Sequence, residues 1–491
     1  MDSPPADTPA TSQRSSALAR VALLAAFIAY AAFLIGRVGA HAGGSDATGY
    51  LNSARLLAQG ATATLQRIPA GLDPEGFEWF AFIPLGFSPL PEQKMVPTYP
   101  IGLPLALAGT AAVTGWQLAP PLVMVASALA AVALMIPLGR AAGLPRNWSV
   151  FGALLLGASP LTTFMSVQLM SDIPAMAAAT GTIVSAWHSR THRRWAVLAG
   201  AVFAIGVLIR PSNLILIFPV ALCLGFDWRR WLLLGIGGLP GAVTQLVYST
   251  AAYGNPLASG YGGDLATKFS FGVIPATLVH YVRWLPILLT PVGFAALTLP
   301  WLGRRDLFAW VLVAWIAVIF CFYISYWHTH ETWWYLRFLL PGFPAVILAG
   351  LLVGQACRAS PPWLLIALCL AGQTVLTRNL HVTAIRDEER RYVLAAQWLN
   401  AHVPPGSVII GSQLSGALHY YSQFVFVRTE LLTPAGLATL SSAAAAADRP
   451  IYTALFHFED SSNVHRRLGG NWAPVTKIAD VDIARLLLLK P

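Results

Sequence analysis

The feature that most constrains this 491-residue chain is a succession of apolar runs without a single charge. The first is Val21–Ile35, and others cover about 118–139, 148–165, 173–188, 195–209, 211–226, 231–250, 284–302, 307–326, 338–356 and 362–377. A bilayer core offers the backbone no hydrogen-bond partner, so such runs cross it as helices of ~17–25 residues, the shorter ones borrowing flanking residues. Only 11% of the residues are charged and 56% are apolar, whereas soluble globular domains carry roughly a quarter charged residues. A soluble enzyme and a disordered chain are thereby excluded. A disulfide scaffold is excluded too, because Cys223, Cys321, Cys357 and Cys369 sit in or beside apolar runs. The expected fold is an α-helical polytopic membrane protein with about eleven transmembrane helices.

The formal charge of +10 does not point to nucleic acid. The basic residues form small groups between apolar runs (Arg14 and Arg20, Arg140 and Arg146, Arg190 with Arg193 and Arg194, Arg229 and Arg230, Arg304 and Arg305), with no basic stretch interleaved with aromatics. They fit loops held in the cytoplasm. Charge parity also decides the apolar stretch Ile101–Trp116. If it lies in the interface and the N-terminus is inside, every one of these loops, and Arg358, is cytoplasmic; if it spans, all five loops from Arg140 onward fall outside. The expected topology therefore has a long first external loop (37–117), further external segments at 251–283 and 327–337, and residues 379–491 outside. Residues 1–16, rich in Pro, Ser and Ala, read as a disordered cytoplasmic tail. Val21–Ile35 reads as a retained anchor, although Ala40-His41-Ala42 has the small-x-small form of a signal-peptide cleavage site. The expected location is the cytoplasmic membrane, with residues 17–378 as the membrane domain.

Residues 379–491 differ in composition. Arg386-Asp387-Glu388-Glu389-Arg390-Arg391 opens a helix-like segment ending near His402, and Gly436–Ala447 is Ala-rich and helical. Ser407–Gly411, Phe424–Arg428, Ile451–Phe456 and Ile483–Leu489 are strand-like. Alternating helices and short strands predict a small α/β domain. It carries no Gly-rich phosphate loop and no triad spacing, which favours a scaffolding or acceptor-contacting role.

Ion-coupled transporters hold carboxylates or histidines at mid-membrane. Here the acids Asp46, Asp73, Glu75, Glu78, Glu92, Asp172, Asp264 and Glu331 fall at the outer ends, together with Arg55, Lys94, Arg210, Lys268, Arg283 and Arg337. Acids and cations gathered at one surface suit an enzyme that works on an anionic lipid head. Two of the acids also have a plain structural reading. Ser45 or Asp46 can be the N-cap of an interfacial helix marked by Tyr50, Ala54 and Leu57, and Asp172 can cap the helix entered by Ile173-Pro174. Arg210, just before Pro211, reads equally as a membrane-end anchor and as a phosphate ligand. His328-Thr329-His330-Glu331 could be taken for a metal cluster, but Trp327, Trp333 and Trp334 mark it as an interfacial aromatic belt.

One membrane anchor followed by Ser45-Asp46-x-x-x-Tyr50-x-x-x-Ala54-Arg55 resembles the first external loop of GT-C glycosyltransferases. Those polytopic enzymes use polyprenyl-phosphate sugars, and the aminoarabinose and protein-mannosyl transferases are among them. Tyr99-Pro100-Ile101-Gly102-Leu103-Pro104 resembles the family's Pro-rich entry to an apolar helix. Met170-Ser171-Asp172-Ile173-Pro174 resembles its second external Asp motif, and Tyr335-Leu336-Arg337-Phe338-Leu339-Leu340-Pro341 its Arg-Tyr-Leu-Leu-Pro segment. The motifs occur in order over about residues 17–380.

The resemblance implies an inverting transfer of one sugar from a polyprenyl-phosphate donor to a lipid, glycan or protein acceptor at the outer face of the membrane. Asp46 is then the catalytic base, since the acceptor hydroxyl must lose its proton as it attacks the anomeric carbon. Beside the membrane a carboxylate is partly desolvated, which strengthens it as a base. Asp172 is the supporting acid, as acceptor orienter or partner of a cation. Lys94, Arg337 and Arg55 are the expected ligands of the donor phosphate, whose departure cations ease; for Lys94 and Arg337 snorkelling to the headgroups is the plain alternative. The acid that commonly follows the first one in the family is replaced here by Ala47, so any use of a divalent metal by such a pair is left open. A flippase or exporter of lipid-linked sugars is the alternative function, and a non-enzymatic scaffold built on the C-terminal domain a third.

Overall fold

The computed structural model describes residues 9–301 and 306–487. Arg304, Arg305 and residues 1–8 lie outside the described residues, as do the side chains of Arg14, Arg20 and Asp264. The helices of the membrane part are α1 Pro9–Ile35, α2 Ser45–Ala58, α3 Gly102–Thr114, α4 Ala119–Ala141, α5 Arg146–Ala158, α6 Pro160–Ser166, α7 Asp172–His188, α8 Trp195–Ile209, α9 Ile217–Leu224, α10 Trp228–Tyr253, α11 Ile274–Ala296, α12 Leu307–Tyr323, α13 Phe343–Cys357 and α14 Trp363–Asn379. Residues 9–16, expected in a disordered tail, instead continue α1, whose first turn at Pro9 suits a residue with φ already fixed.

Each of the eleven apolar runs is occupied by a helix or a helix pair. Among the described residues, four are individually long and apolar enough to cross a bilayer: Ala119–Ala141, Trp228–Tyr253, Phe271–Trp301 and Trp333–Cys357. A fifth is the pair α5 and α6, bent by 61° at Ser159. Leu23–Ile35, Gly102–Thr114, Trp195–Ile209, Pro211–Leu224 and Leu307–Tyr323 are shorter apolar helices. In a membrane, helices associate through close packing and not through expulsion of water, so small residues line their contacts. α8 and α10 meet in this way: a Cβ on Gly200 would lie 1.9 Å from the Leu234 carbonyl oxygen, and one on Gly237 1.9 Å from that of Val197.

The first loop between α1 and α3 holds more than interfacial helices. Besides α2 it folds a three-stranded antiparallel sheet in the order β1-β3-β2, from β1 Thr64–Leu65, β2 Phe87–Leu90 and β3 Lys94–Pro97.

After Asn379 the chain adds α15 Ile385–His402, α16 Ser415–Tyr421, α17 Pro434–Ala446 and α18 Ser461–Leu468 around strands β4 Val408–Ile410, β5 Val425–Val427, β6 Ile451–Phe456, β7 Trp472–Ile478 and β8 Val481–Leu486. The sheet order is β5-β4-β6-β8-β7, with β5, β4 and β6 parallel and the last two pairings antiparallel. Side chains alternate faces along a strand. Ile409 and Phe426 accordingly pack with Leu399 and Leu418 on one side, and Val408, Ile410 and Val427 with Leu440 and Leu468 on the other. The second side is completed by Leu72, Ala81 and Phe82 of the first loop. Loop and C-terminal residues therefore share a core at one end of the helical bundle.

Candidate functional site

The site forms where the start of α2 meets the end of the bundle. Gly43 and Gly44 bring the chain out of α1 and into α2, passing directly under Glu389 of α15. A Cβ on Gly43 would fall 1.1 Å from Glu389 Oε2, so any larger residue there would displace the Glu389 carboxylate. The Gly44 amide donates to the same oxygen over 2.8 Å. No side chain caps α2, and Asp46, in its first turn, turns away from the helix amides. Its two oxygens are held separately: the Tyr99 hydroxyl donates to Oδ1 over 2.6 Å, and an Arg337 amine donates to Oδ2 over 3.0 Å. Tyr99 reaches this position because Gly49 has no side chain; a Cβ there would lie 2.2 Å from the Tyr99 ring.

Asp172 opens α7 without capping it. Its Oδ1 accepts from Arg210 over 2.6 Å, and its Oδ2 lies 3.9 Å from the other amine of Arg337. Arg210 stacks above Phe338, 5.1 Å from the ring centroid, and so serves as the partner of Asp172. Two carboxylates and two guanidiniums thus form a chain Asp46–Arg337–Asp172–Arg210, in which Asp172 is buried and Asp46 keeps 26% of its side-chain surface exposed. The Arg337 Nε is buried and has no hydrogen-bond partner.

Asp46 and Arg337 face a cavity of about 410 Å³, walled by Met170, Trp334 and Tyr335 on one side and by His41, Arg386 and Glu389 on the other. Glu389 lies in α15, and burial, with Glu388 and Asp46 adding to it against the pull of the Gly44 amide and Arg391, lifts its carboxyl to about 7. His41 is pushed below the usual histidine range by burial and then by Arg386 and Arg390.

Of the five residues expected from sequence, three converge here: Asp46, Asp172 and Arg337. Lys94 does not. It opens β3 on an exposed turn and pairs with Glu92 over 2.7 Å, outside the walls of the cavity. Arg55 also stands elsewhere, donating to the Tyr420 carbonyl over 2.8 Å and lying 3.3 Å from that ring's centroid, where it ties α2 to α16. Tyr99, Glu389 and Arg386 join the site without a sequence signal for it: Tyr99 opens the Pro-rich motif with nothing to mark its hydroxyl, and the other two lie in the charged run after the last apolar helix. His328 bonds Glu331 over 2.8 Å. Among the described residues no three His, Cys, Asp or Glu side chains gather, and Asp46 and Asp172 are each turned toward an arginine, so the donor set does not fit a metal.

No protein-family model matches the sequence, and no curated protein matches it significantly. Solved structures do match. ArnT from Cupriavidus metallidurans bound to undecaprenyl phosphate superposes with a TM-score of 0.57 at 14% identity, over 94% of this chain and 98% of that one. The arabinofuranosyltransferase AftD from Mycobacteria gives 0.54 at 14% identity over 95% of this chain and 40% of its own length. The archaeal oligosaccharyltransferase AglB from Archaeoglobus fulgidus, in complex with an inhibitory peptide and a dolichol-phosphate, gives 0.51 at 12% identity over 90% and 70%. The chain has the GT-C fold. Its likeness to ArnT runs through the whole membrane part and into the C-terminal residues, since it covers nearly all of both chains.

Proposed function

We propose that the protein is a membrane glycosyltransferase that moves a sugar from a polyprenyl-phosphate donor to an acceptor at the outer face of the cytoplasmic membrane, with inversion and with Asp46 as the base. One observation carries the reading: Asp46 is fixed through both oxygens, by Tyr99 and Arg337, yet opens into a cavity large enough for a sugar. A carboxylate has about four lone-pair sites, so these two bonds orient it and leave room for a proton. In the proposed step the acceptor oxygen attacks the anomeric carbon and Asp46 takes its proton. The bond from that carbon to the phosphate oxygen breaks on the opposite face, and the carrier phosphate leaves with the electron pair. Asp172 and Arg210 hold Arg337 in place, and Arg337 in turn aims Asp46 at the cavity. In this reading eleven helices cross the membrane, and the first loop and the C-terminal domain share the outer side.

The deciding experiment is sugar transfer by the purified chain and by Asp46→Asn, with polyprenyl-phosphate binding measured on the same samples. The transferase reading expects transfer to vanish in the variant while binding of the carrier lipid persists. An exporter of lipid-linked sugars would be little affected by the substitution, and that outcome would overturn the proposal.

A further inference from the structure

Two more cavities lie in sequence beyond the one at Asp46. The first is a groove of about 460 Å³ between α1, α5 and α14, walled by apolar side chains such as Leu23, Phe27, Tyr30, Leu154 and Leu370, with Arg37, Arg378 and Thr383 also in its lining. From Leu23 to Ile35 it follows α1 for roughly 18 Å at 1.5 Å per residue, a large part of a ~30 Å hydrocarbon core. The second is a basin of about 740 Å³ that shares Arg37 and Thr383 with the groove and holds Arg386, Asp387 and Arg390. The basin in turn shares His41 and Arg386 with the Asp46 cavity. The three linings are therefore contiguous, running from an apolar groove, past a cationic basin, to the cavity at Asp46.

Charge separates the basin from the cluster at Asp46. There, two arginines are matched by two aspartates. In the basin, Arg37, Arg386 and Arg390 stand against Asp387 alone, and among the described residues none of the three forms an ion pair. Arg386 donates over 2.6 Å to the Gly36 carbonyl and Arg37 over 3.2 Å to that of Phe33, bonds that aim the guanidiniums without neutralising them. An excess of two positive charges matches one phosphate group, for which guanidinium is a preferred partner.

We propose that groove, basin and cavity form one seat for a single polyprenyl-phosphate lipid: the head-proximal part of the chain in the groove, the phosphate on Arg37, Arg386 and Arg390, and the sugar reaching Asp46. The identity of this lipid rests on the transferase reading above. The seat gives the C-terminal domain a direct part in substrate binding, since two of the three phosphate ligands belong to it.

The test is binding of a radiolabelled polyprenyl monophosphate to the full chain in detergent, with the uncharged polyprenol, phosphatidylglycerol and inorganic phosphate as competitors. The seat requires at least tenfold preference for the phosphate lipid over polyprenol, and phosphatidylglycerol at equal concentration should not displace it. R386Q/R390Q should weaken binding at least tenfold, and R386K/R390K should restore part of it. Leu154→Trp, on an exposed wall of the groove, should weaken the lipid but leave competition by inorganic phosphate unchanged. Wild-type affinity in both R386Q/R390Q and Leu154→Trp, or full displacement by phosphatidylglycerol, would overturn the seat. Transfer by the wild-type chain combined with those results would leave Asp46 standing as base. The expected binding pattern in a chain that transfers no sugar would keep the seat and remove the base.

Discussion

Asp46 and Asp172 occupy equivalent places in the sequence, each at the first turn of a helix that follows a turn, and each reads as an ordinary cap. Neither caps anything. Asp172 is 3% exposed and pressed against Arg210, whereas Asp46 keeps 26% of its surface and looks into a cavity. Both share Arg337, so what separates them is access. Burial with a matched cation makes a carboxylate part of the scaffold; the same contact at a cavity wall only aims it.

The contrast can be broken from either end. The largest effect is expected for Asp46→Asn, which should lower the transfer rate by roughly 10²–10⁴-fold, the usual contribution of a positioned base. Its melting temperature in detergent should stay close to that of the unaltered protein. Asp172→Ala should do the reverse. Removing one partner of a buried ion pair costs about 3–5 kcal/mol, so the yield and melting temperature should fall first. The double variant Asp172→Ala/Arg210→Ala should recover part of that loss, because no unpaired buried charge remains. If Asp172→Ala instead leaves stability intact and abolishes transfer, the division of labour between the acids is wrong.

Smaller effects sharpen the picture around Asp46. Tyr99→Phe removes one hydrogen bond to a charged group, worth about 1.5–3 kcal/mol. It should cut kcat by about tenfold or more with little change in the donor KM. Glu389 gives a pH signature. Its carboxyl titrates near 7 in the folded chain, above the ordinary glutamate range. The folded state therefore holds a proton there that the unfolded chain has lost, and stability should fall as pH rises from about 5 to about 7, then level off. Melting curves should show this slope, and Glu389→Gln should flatten it.

Much of this was legible in the sequence for a physical reason: the bilayer makes helices of apolar runs and leaves acids at their ends. Asp46, Asp172 and Arg337 stood out because each lies in a short motif beside such an end. Lys94 and Arg55 stood beside ends as well, but their partners, Glu92 and the Tyr420 carbonyl, are set by the loop sheet and by α16, which no spacing reveals. Glu389 and Arg386 reach residues more than 340 positions away, so their charged run looked like a solvated helix start. In the C-terminal residues the strand-like runs coincide with β4, β5, β6 and β8. The strand β7 gives no such signal, because it carries Pro474 beside a register shift at the sheet edge and has no apolar alternation.

One consequence follows from Glu389 lying against Gly43. The side of the Asp46 pocket formed by Ile385, Arg386 and Glu389 is built from amino acids synthesised more than three hundred positions after Asp46 itself. A nascent polypeptide that has already inserted its first helices holds the carboxylate but lacks the enclosure around it. Enclosure comes only with delivery of α15.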